Sequence, residues 1–383
     1  YLGSGSEAME AAIKLARQYH LERGEPQRQK LVARHFSYHG NTLGALAVGG
    51  HAARRKPYDP MLIDVAYIDP CYAYRYREPQ EEAAAFGRRM ADQLEAKLVE
   101  LGPETVAAFI AEPVVGATLG TQPAASGYFK RIREICDRHG VLFIADEVMC
   151  GMGRTGSLFA LEQEGIAADI TTMAKGLGGG FQPIAALLAR QSVCDVIIGG
   201  SGRLWNGHTY MSHATSCAGA LAVLKVIEED DLLANVRARG EELERGLRAT
   251  LGDHDHIGDI RGRGLFWSYE VVADRETRAP FPAEKGIADQ IKAAAMEDGI
   301  MCYPSQGCAD GINGDHVLIA PAYITTAAEI EEIVSRLAAA TRRVLDSVSV
   351  TANLAPKPHH PSAAHASAAA IQQAPAASPA GSR

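Results

Sequence analysis

The sequence lacks the features that mark secreted, membrane-spanning and nucleic-acid-binding proteins. Its seven cysteines are odd in number, scattered and without a CxxC pair, which argues against a metal site or a disulfide framework and favours a reducing cytoplasm. No apolar run approaches the length of about 18 residues that a membrane span needs, and no signal peptide is visible. The net charge of −8 argues against nucleic acid or an anionic membrane as a partner.

The composition is that of an ordinary globular protein. The 383 residues are 47% hydrophobic and 22% charged, which allows a large core and two domains. Strand-like and helix-like segments alternate from Val106 onwards, which predicts an α/β fold with a mostly parallel sheet and helices on both faces. We predict a large domain over residues 1–250, a smaller α+β domain over 251–350, and a disordered Ala/Pro/Ser-rich tail over 351–383.

Local patterns predict individual elements. A helix is expected from about Gly5 to near Gly24, because Ser4 and Glu7 form a capping-box pattern ahead of apolar residues at helical spacing. Later segments predict a helix over 80–101 and strands over 184–189 and 300–303.

The stretch 141–180 is the most informative part of the sequence. An apolar strand-like run from Val141 ends on Asp146 and Glu147, and a second strand-like segment leads into Lys175. The carboxyl ends of parallel strands form the ligand crevice of an open α/β sheet. We therefore expect the acid and the lysine to face one site.

A carboxylate and a lysine at one small site suggest pyridoxal phosphate. That cofactor needs a lysine to form an imine with its aldehyde, and an acid beside its ring nitrogen to keep the ring protonated. A structural ion pair, or two solvated charges at strand ends, would give the same pattern, and the spacing alone does not decide between these interpretations.

A dinucleotide-binding motif is a competing interpretation. The segment from Gly151 to Gly156 fits G-x-G-x-x-G, follows a predicted strand and precedes Asp169 at a suitable distance. Two acids stand directly before the glycines, however, where they would repel a pyrophosphate. The motif therefore gives weak support to a nicotinamide-dependent oxidoreductase.

Six short motifs occur in a fixed order along the chain. They are SGSEAMEAAIKLAR (4–17), SYHG (37–40), AEP (111–113), ADEV (145–148), MAKG (173–176) and GHTY (207–210). Together they resemble the class III, omega-type aminotransferases, which are pyridoxal-phosphate enzymes of fold type I. The resemblance runs from Tyr1 to about Leu345, and members of that family usually carry a further segment ahead of the first motif, so we expect the chain to be truncated at its N-terminus.

The resemblance implies a role for each matching residue. Lys175 would bind the cofactor and transfer a proton, and Asp146 would keep the ring nitrogen protonated. Gly5 and Ser6, at the start of the first helix, would hold the phosphate.

Further matching residues would surround the cofactor. Tyr38 would stack on the pyridine ring, Val148 would pack on its opposite face, and His39 belongs to the same site. Glu112 would orient groups near the cofactor. Thr209 would reach the phosphate of the neighbouring subunit, which makes a homodimer the expected active unit.

Departures from the family pattern bear on the substrate. Ala117, Leu318 and Met149 stand where members that act on gamma-amino acids carry glutamate, arginine and glutamine, which favours transfer from an amine or omega-amino acid to a 2-oxo acid such as pyruvate. Other cations could bind a substrate carboxylate, although surface salt bridges would explain them equally well: Arg261, Arg263, Arg275 and Arg278.

The same motifs leave other functions open. A decarboxylase, racemase or aminomutase would share them, because the choice of reaction depends on the geometry of the pocket. A protein that binds small molecules on this fold without catalysis would share them too.

Overall fold

The structure, a computed structural model, describes the backbone of residues 1–354 and the side chains of residues 1–348. The strands are β1 (Lys30–Arg34), β2 (Ala66–Ile68), β3 (Val106–Ala111), β4 (Val114–Val115), β5 (Gln122–Pro123), β6 (Leu142–Asp146), β7 (Ile170–Met173), β8 (Ala186–Ala189), β9 (Ile257–Arg263), β10 (Phe266–Val271), β11 (Tyr303–Gln306) and β12 (Asp315–Ile319). The helices are α1 (Gly5–Glu22), α2 (Leu43–Val48), α3 (Ala52–Arg55), α4 (Ala73–Tyr76), α5 (Ala83–Leu101), α6 (Tyr128–His139), α7 (Gln191–Gly199), α8 (Ala214–Glu229), α9 (Leu232–Leu251), α10 (Ile287–Glu297) and α11 (Ala327–Leu354).

The larger sheet has six strands in the order β2-β1-β3-β6-β7-β8. All neighbouring pairs are parallel except β7 and β8, which are antiparallel. Every residue of β3 and β6 is buried, as expected for central strands covered on both faces. The predicted α/β fold with a mostly parallel sheet is therefore confirmed.

Helices cover both faces of this sheet because successive side chains of a strand point to opposite sides. Phe109 and Phe143 pack with apolar residues of α5 and α6. Ile110 and Ile144 pack with residues of α1, α2 and α7 on the other face. Polar side chains of the central strands can therefore be accommodated only at the strand ends.

A second sheet follows residue 250. It is antiparallel throughout, in the order β11-β12-β10-β9. An antiparallel sheet accompanied by helices is the pattern that we expect of the smaller α+β domain. The predicted domain boundary itself stays a prediction.

Some local predictions were wrong. The strand predicted over 184–189 is present as β8, but it runs antiparallel to β7 in the mostly parallel sheet, because the segment that joins them contains the 3₁₀ turn Lys175–Gly178 and not the helix of a parallel crossover. The strand predicted over 300–303 begins at Tyr303, where pairing with β12 starts. Gly299 closes α10 in a left-handed conformation, and Met301 is 82% exposed.

The chain divides into a compact unit of residues 1–345 and a second unit of residues 346–383. The described part of the second unit, residues 346–354, belongs to α11. The sequence predicts a disordered tail over residues 351–383. Residues 355–383 of that tail lie outside the described residues.

Candidate active site

Three adjacent strands of the large sheet end in ionisable side chains at one edge. β3 leads into Glu112, β6 ends on Asp146, and β7 is followed after one residue by Lys175. Because parallel strands present their carboxyl ends at the same edge, these side chains converge. They line one cavity of about 560 Å³, a volume suited to a small ligand.

The N-terminus of α1 lines the same cavity. Ser4 caps the helix by accepting a hydrogen bond from the backbone N–H of Glu7 at 3.3 Å, and the Glu7 carboxylate accepts from the N–H of Gly3 at 2.7 Å. Ser6 Oγ accepts from the N–H of Asn41 at 3.0 Å, which ties the helix to the loop after β1. The free N–H groups and the positive end of the helix dipole make this a suitable anion site.

Two glycines allow the N-terminus of α1 to lie close to the loop after β1 and to the segment after β6. A Cβ on Gly40 would lie 2.8 Å from Ser6 Cα, and its φ of 139° also disfavours other residues. A Cβ on Gly5 would lie 3.0 Å from Val148 Cγ1. The helix N-terminus and the residue after Glu147 therefore lie side by side at the cavity.

Asp146 and His39 form a buried hydrogen-bonded pair. Oδ2 of Asp146 lies 2.7 Å from His39 Nδ1, and Oδ1 accepts from the N–H of Val148 at 3.0 Å. Because a carboxylate can only accept, Nδ1 carries the proton. Nε2 of His39 is buried without a hydrogen-bond partner in the described chain, so the pair retains polar capacity for a group bound in the cavity.

Glu112 fixes the loop that carries Tyr38. One carboxylate oxygen accepts from the N–H of Tyr38 at 3.1 Å and the other from the N–H of Gly116 at 2.9 Å. Burial raises the pKa of the Glu112 carboxyl, and the two N–H donors oppose that rise. Glu112 therefore acts on the shape of the site through the backbone.

Lys175 begins its 3₁₀ turn with a φ of 42°, in the left-handed region that costs a residue with a side chain about 1 kcal/mol or more. Its side chain is exposed and lines the cavity. Among the described residues that line the cavity, Lys175 is the one lysine or arginine.

The structure brings all but one of the predicted site residues together. The cavity is lined by Gly5, Ser6, Tyr38, His39, Glu112, Asp146, Val148 and Lys175. Thr209 does not line it and is exposed in the loop between α7 and α8. The sequence reasoning missed the wall formed by residues 181–184, although the glycines that precede it indicate a turn back towards the site.

The G-x-G-x-x-G segment does not have the context of a dinucleotide site. Turns and the 3₁₀ helix Ala160–Glu164 follow it, whereas the fingerprint opens an α-helix. Asp169 is bound by Arg133 and by the N–H of Phe143, both at 2.7 Å. The segment therefore lacks the structural context on which the oxidoreductase interpretation depends.

The groups around the cavity fit pyridoxal phosphate. An amine and a carboxylate stand at neighbouring strand ends, a helix N-terminus is suited to the phosphate, and Tyr38 and Val148 offer surfaces for a ring. Within residues 1–348, no cluster of three or more metal-ligating side chains is found. None of the helices in the described part of the chain is long and apolar enough to cross a bilayer.

Comparison with known proteins gives one consistent family. A family model for aminotransferase class-III matches residues 1–341. An aminotransferase of Gibberella zeae is 50% identical over 87% of this chain and 66% of its own length, and an uncharacterized aminotransferase of Schizosaccharomyces pombe is 42% identical over 88% and 74%. The chain thus spans about two thirds to three quarters of the length of these relatives.

Comparison with solved structures leads to the same family. An amine transaminase from an uncultivated Pseudomonas species, in its PLP-bound internal aldimine form, superposes with a TM-score of 0.84 and 35% identity over 90% of this chain and 76% of that one.

Proposed function

The chain belongs to the class III aminotransferase family, and from this premise we propose that it transfers an amino group from an amine or omega-amino acid to a 2-oxo acid, with pyridoxal phosphate as cofactor. The observation that carries this proposal is the convergence of Lys175 and Asp146 on one cavity beside the N-terminus of α1. When bound, the cofactor supplies an electron sink for the carbon that loses its proton.

Lys175 provides the amine that holds the cofactor and then moves the proton. Its place at the cavity, on a turn fixed between β7 and β8, brings the amine to the reacting carbon of a bound donor. With the cofactor bound, the amine of Lys175 would be placed to take a proton from the donor carbon. In the second half of the reaction it returns a proton to the acceptor carbon.

Asp146 would pair with the protonated ring nitrogen, and His39 holds its carboxylate in place at 2.7 Å. This hydrogen bond leaves lone pairs on Oδ2 for a second donor. Glu112 acts indirectly, because it holds the backbone of Tyr38 and so sets the position of the Tyr38 ring.

The start of α1 holds the phosphate. Gly5 and Ser6 line the cavity and present the first N–H groups of an 18-residue helix. Tyr38 and Val148, which line the same cavity, would pack against the two faces of the ring.

We propose a homodimer as the active unit. Thr209 is exposed, and large apolar side chains lie exposed on the segments around it: Phe181 at 82%, Trp205 at 64% and Tyr210 at 77%. Exposed apolar groups of this kind are typical of association surfaces. A cytoplasmic location is a further proposal, which the seven free cysteines support.

The proposed donor, an amine or omega-amino acid that transfers to pyruvate, is supported by the apolar residue at position 318. Leu318 is buried in a cluster with Val114, Cys150 and Phe266, so this position offers no charge to a long second carboxylate. A donor without that carboxylate therefore suits the site better.

The first test is a visible spectrum of the full protein reconstituted with pyridoxal phosphate. We expect an absorption band of the lysine-bound cofactor, its loss in Lys175→Ala, and bleaching of the wild-type band by an amine. Added pyruvate should restore the band and yield the amino acid and a carbonyl product. A colourless wild-type protein would contradict the proposal, and carbon dioxide or an inverted amino acid as product would indicate a decarboxylase or racemase.

A further inference from the structure

The proposed acceptor needs a cation that the cavity does not supply. A 2-oxo acid carries a carboxylate, yet Lys175 is the one lysine or arginine among the described lining residues and is committed to the cofactor. Glu112 and Asp146 line the same space and would repel an unpaired anion. An arginine at the edge of the cavity would resolve this conflict.

The arginines singled out from the sequence are engaged elsewhere or lie in an exposed turn. Arg261 is buried and binds Glu270 at 2.8 Å and the carbonyl of Gly120 at 2.8 Å. Arg263 pairs with Glu164 at 2.8 Å.

The remaining two are no better placed. Arg278 donates to the carbonyl of Tyr74 at 2.6 Å. Arg275 lies exposed between Asp274 and Ala279, which form a bridge that closes this turn.

Arg54 lies next to the site and has no acidic partner among the side chains of residues 1–348. Its guanidinium carbon is 4.7 Å from the centroid of the Tyr38 ring, and Tyr38 lines the cavity. Arg54 is exposed and forms no ion pair within the described side chains. Its neighbour Arg55 differs, because it contacts Asp59 at 3.6 Å and the hydroxyl of Tyr67.

The backbone holds Arg54 close to this ring. α3 follows Gly50, whose N–H donates to the carbonyl of Ser37 and whose carbonyl accepts from Phe36, at 3.0 and 3.1 Å. The attraction of a cation to an aromatic face then places the guanidinium over Tyr38. Tyr38, which lines the cavity, is therefore the residue through which Arg54 adjoins it.

We propose that Arg54 binds the carboxylate of the 2-oxo acid acceptor. The inference rests on the proposed function. A guanidinium matches a carboxylate with two parallel hydrogen bonds, and its stacking on Tyr38 leaves those donors free in the plane of the group.

The test compares two acceptors, pyruvate and an aldehyde without a carboxylate, with the same amine donor. Arg54→Met should lower kcat/KM for pyruvate by about ten- to a hundredfold, mainly through KM, and lower the pyruvate-to-aldehyde ratio by a similar factor. Arg54→Lys should recover part of this ratio. The matched control Lys56→Met, which removes a nearby exposed charge, should behave as the wild type.

Each alternative result has a definite meaning. Equal losses with both acceptors, or the same loss in Lys56→Met, would overturn the role of Arg54. A comparable rise in the Kd of pyridoxal phosphate for Arg54→Met would assign the guanidinium to the cofactor phosphate instead. Wild-type protein that transfers to neither acceptor would overturn the proposed function and, with it, the role of Arg54 that rests on it.

Discussion

At the scale of the residue, two adjacent acids at the end of β6 have different environments. Asp146 faces the cavity and binds His39. Glu147 points into the protein, where its carboxylate accepts from the N–H groups of Ala160 and Leu161 at 2.8 and 3.0 Å. Successive side chains of a strand point in opposite directions, so Asp146 faces the cavity and Glu147 fixes the segment that contains Ala160 and Leu161.

Glu147 should make stability depend on pH. Burial raises the pKa of its carboxyl from 4.5 to about 7, so between these values the folded state retains a proton that the unfolded state has lost. The free energy of unfolding should therefore fall as the pH rises from about 4.5 to about 7, by at most about 3 kcal/mol. Denaturation of the wild type and Glu147→Gln at pH 5.5 and 8 measures this.

Glu147→Gln does not titrate and should show the smaller change with pH. Glu297→Gln, at an exposed glutamate of α10, should keep the wild-type slope. Parallel slopes for the wild type and Glu147→Gln would show that the two backbone donors hold Glu147 ionised throughout.

At the scale of the element, close contacts between backbones fix how the helices pack. Gly240 of α9 lies against the turn between β9 and β10, where a Cβ would lie 2.2 Å from the carbonyl oxygen of Gly264. The contact joins the helix that follows the large sheet to the second sheet.

Gly240→Ala should destabilise the protein although alanine favours helices by about 1 kcal/mol. The added methyl group meets backbone, which cannot move aside like a flexible side chain, so we expect the free energy of unfolding to fall by about 1–3 kcal/mol. Urea denaturation measures the change. Gly199→Ala, where a Cβ meets nothing within 4 Å, should be neutral, and a neutral Gly240→Ala would show that α9 can shift without cost.

At the scale of the whole molecule, the site depends on segments that also carry exposed apolar surface. α8 packs on the 3₁₀ turn that begins with Lys175, through a cluster that includes Leu177 and Ala220. Its outer side exposes Leu221 at 56%. A partner subunit that binds this surface of α8 would stabilise the 3₁₀ turn that carries Lys175.

Leu221→Glu should therefore weaken dimer formation and make specific activity fall on dilution. Sedimentation velocity over a range of concentrations measures the association. Val99→Glu, on α5 against the other face of the large sheet and 65% exposed, is the matched control and should leave association intact. A wild-type protein that sediments as a monomer at micromolar concentration would contradict the dimer.

Much of the site could be predicted because its residues stand at strand ends and helix starts. Asp146 and Lys175 each follow an apolar strand, and Ser4 marks the start of α1, so local patterns give their places. The direction of β8 and the start of β11 could not be predicted, because each depends on a pairing partner distant in sequence. An apolar run such as 300–303 indicates that a segment can be buried, but it does not indicate which strand the segment will pair with.

The amino-acid sequence by itself determined the α/β fold and the motifs that carry the family, since apolar periodicity and short motifs are properties of neighbouring residues. Tertiary structure alone decided that His39 binds Asp146 and that Glu112 holds the backbone of Tyr38. It also decided that Arg261 is bound in a buried network and that Arg54, unpaired with any acid in the described part of the chain, lies beside Tyr38. These are contacts between segments far apart along the chain. Only packing of the sheet and its helices fixes the distances over which hydrogen bonds and charges act.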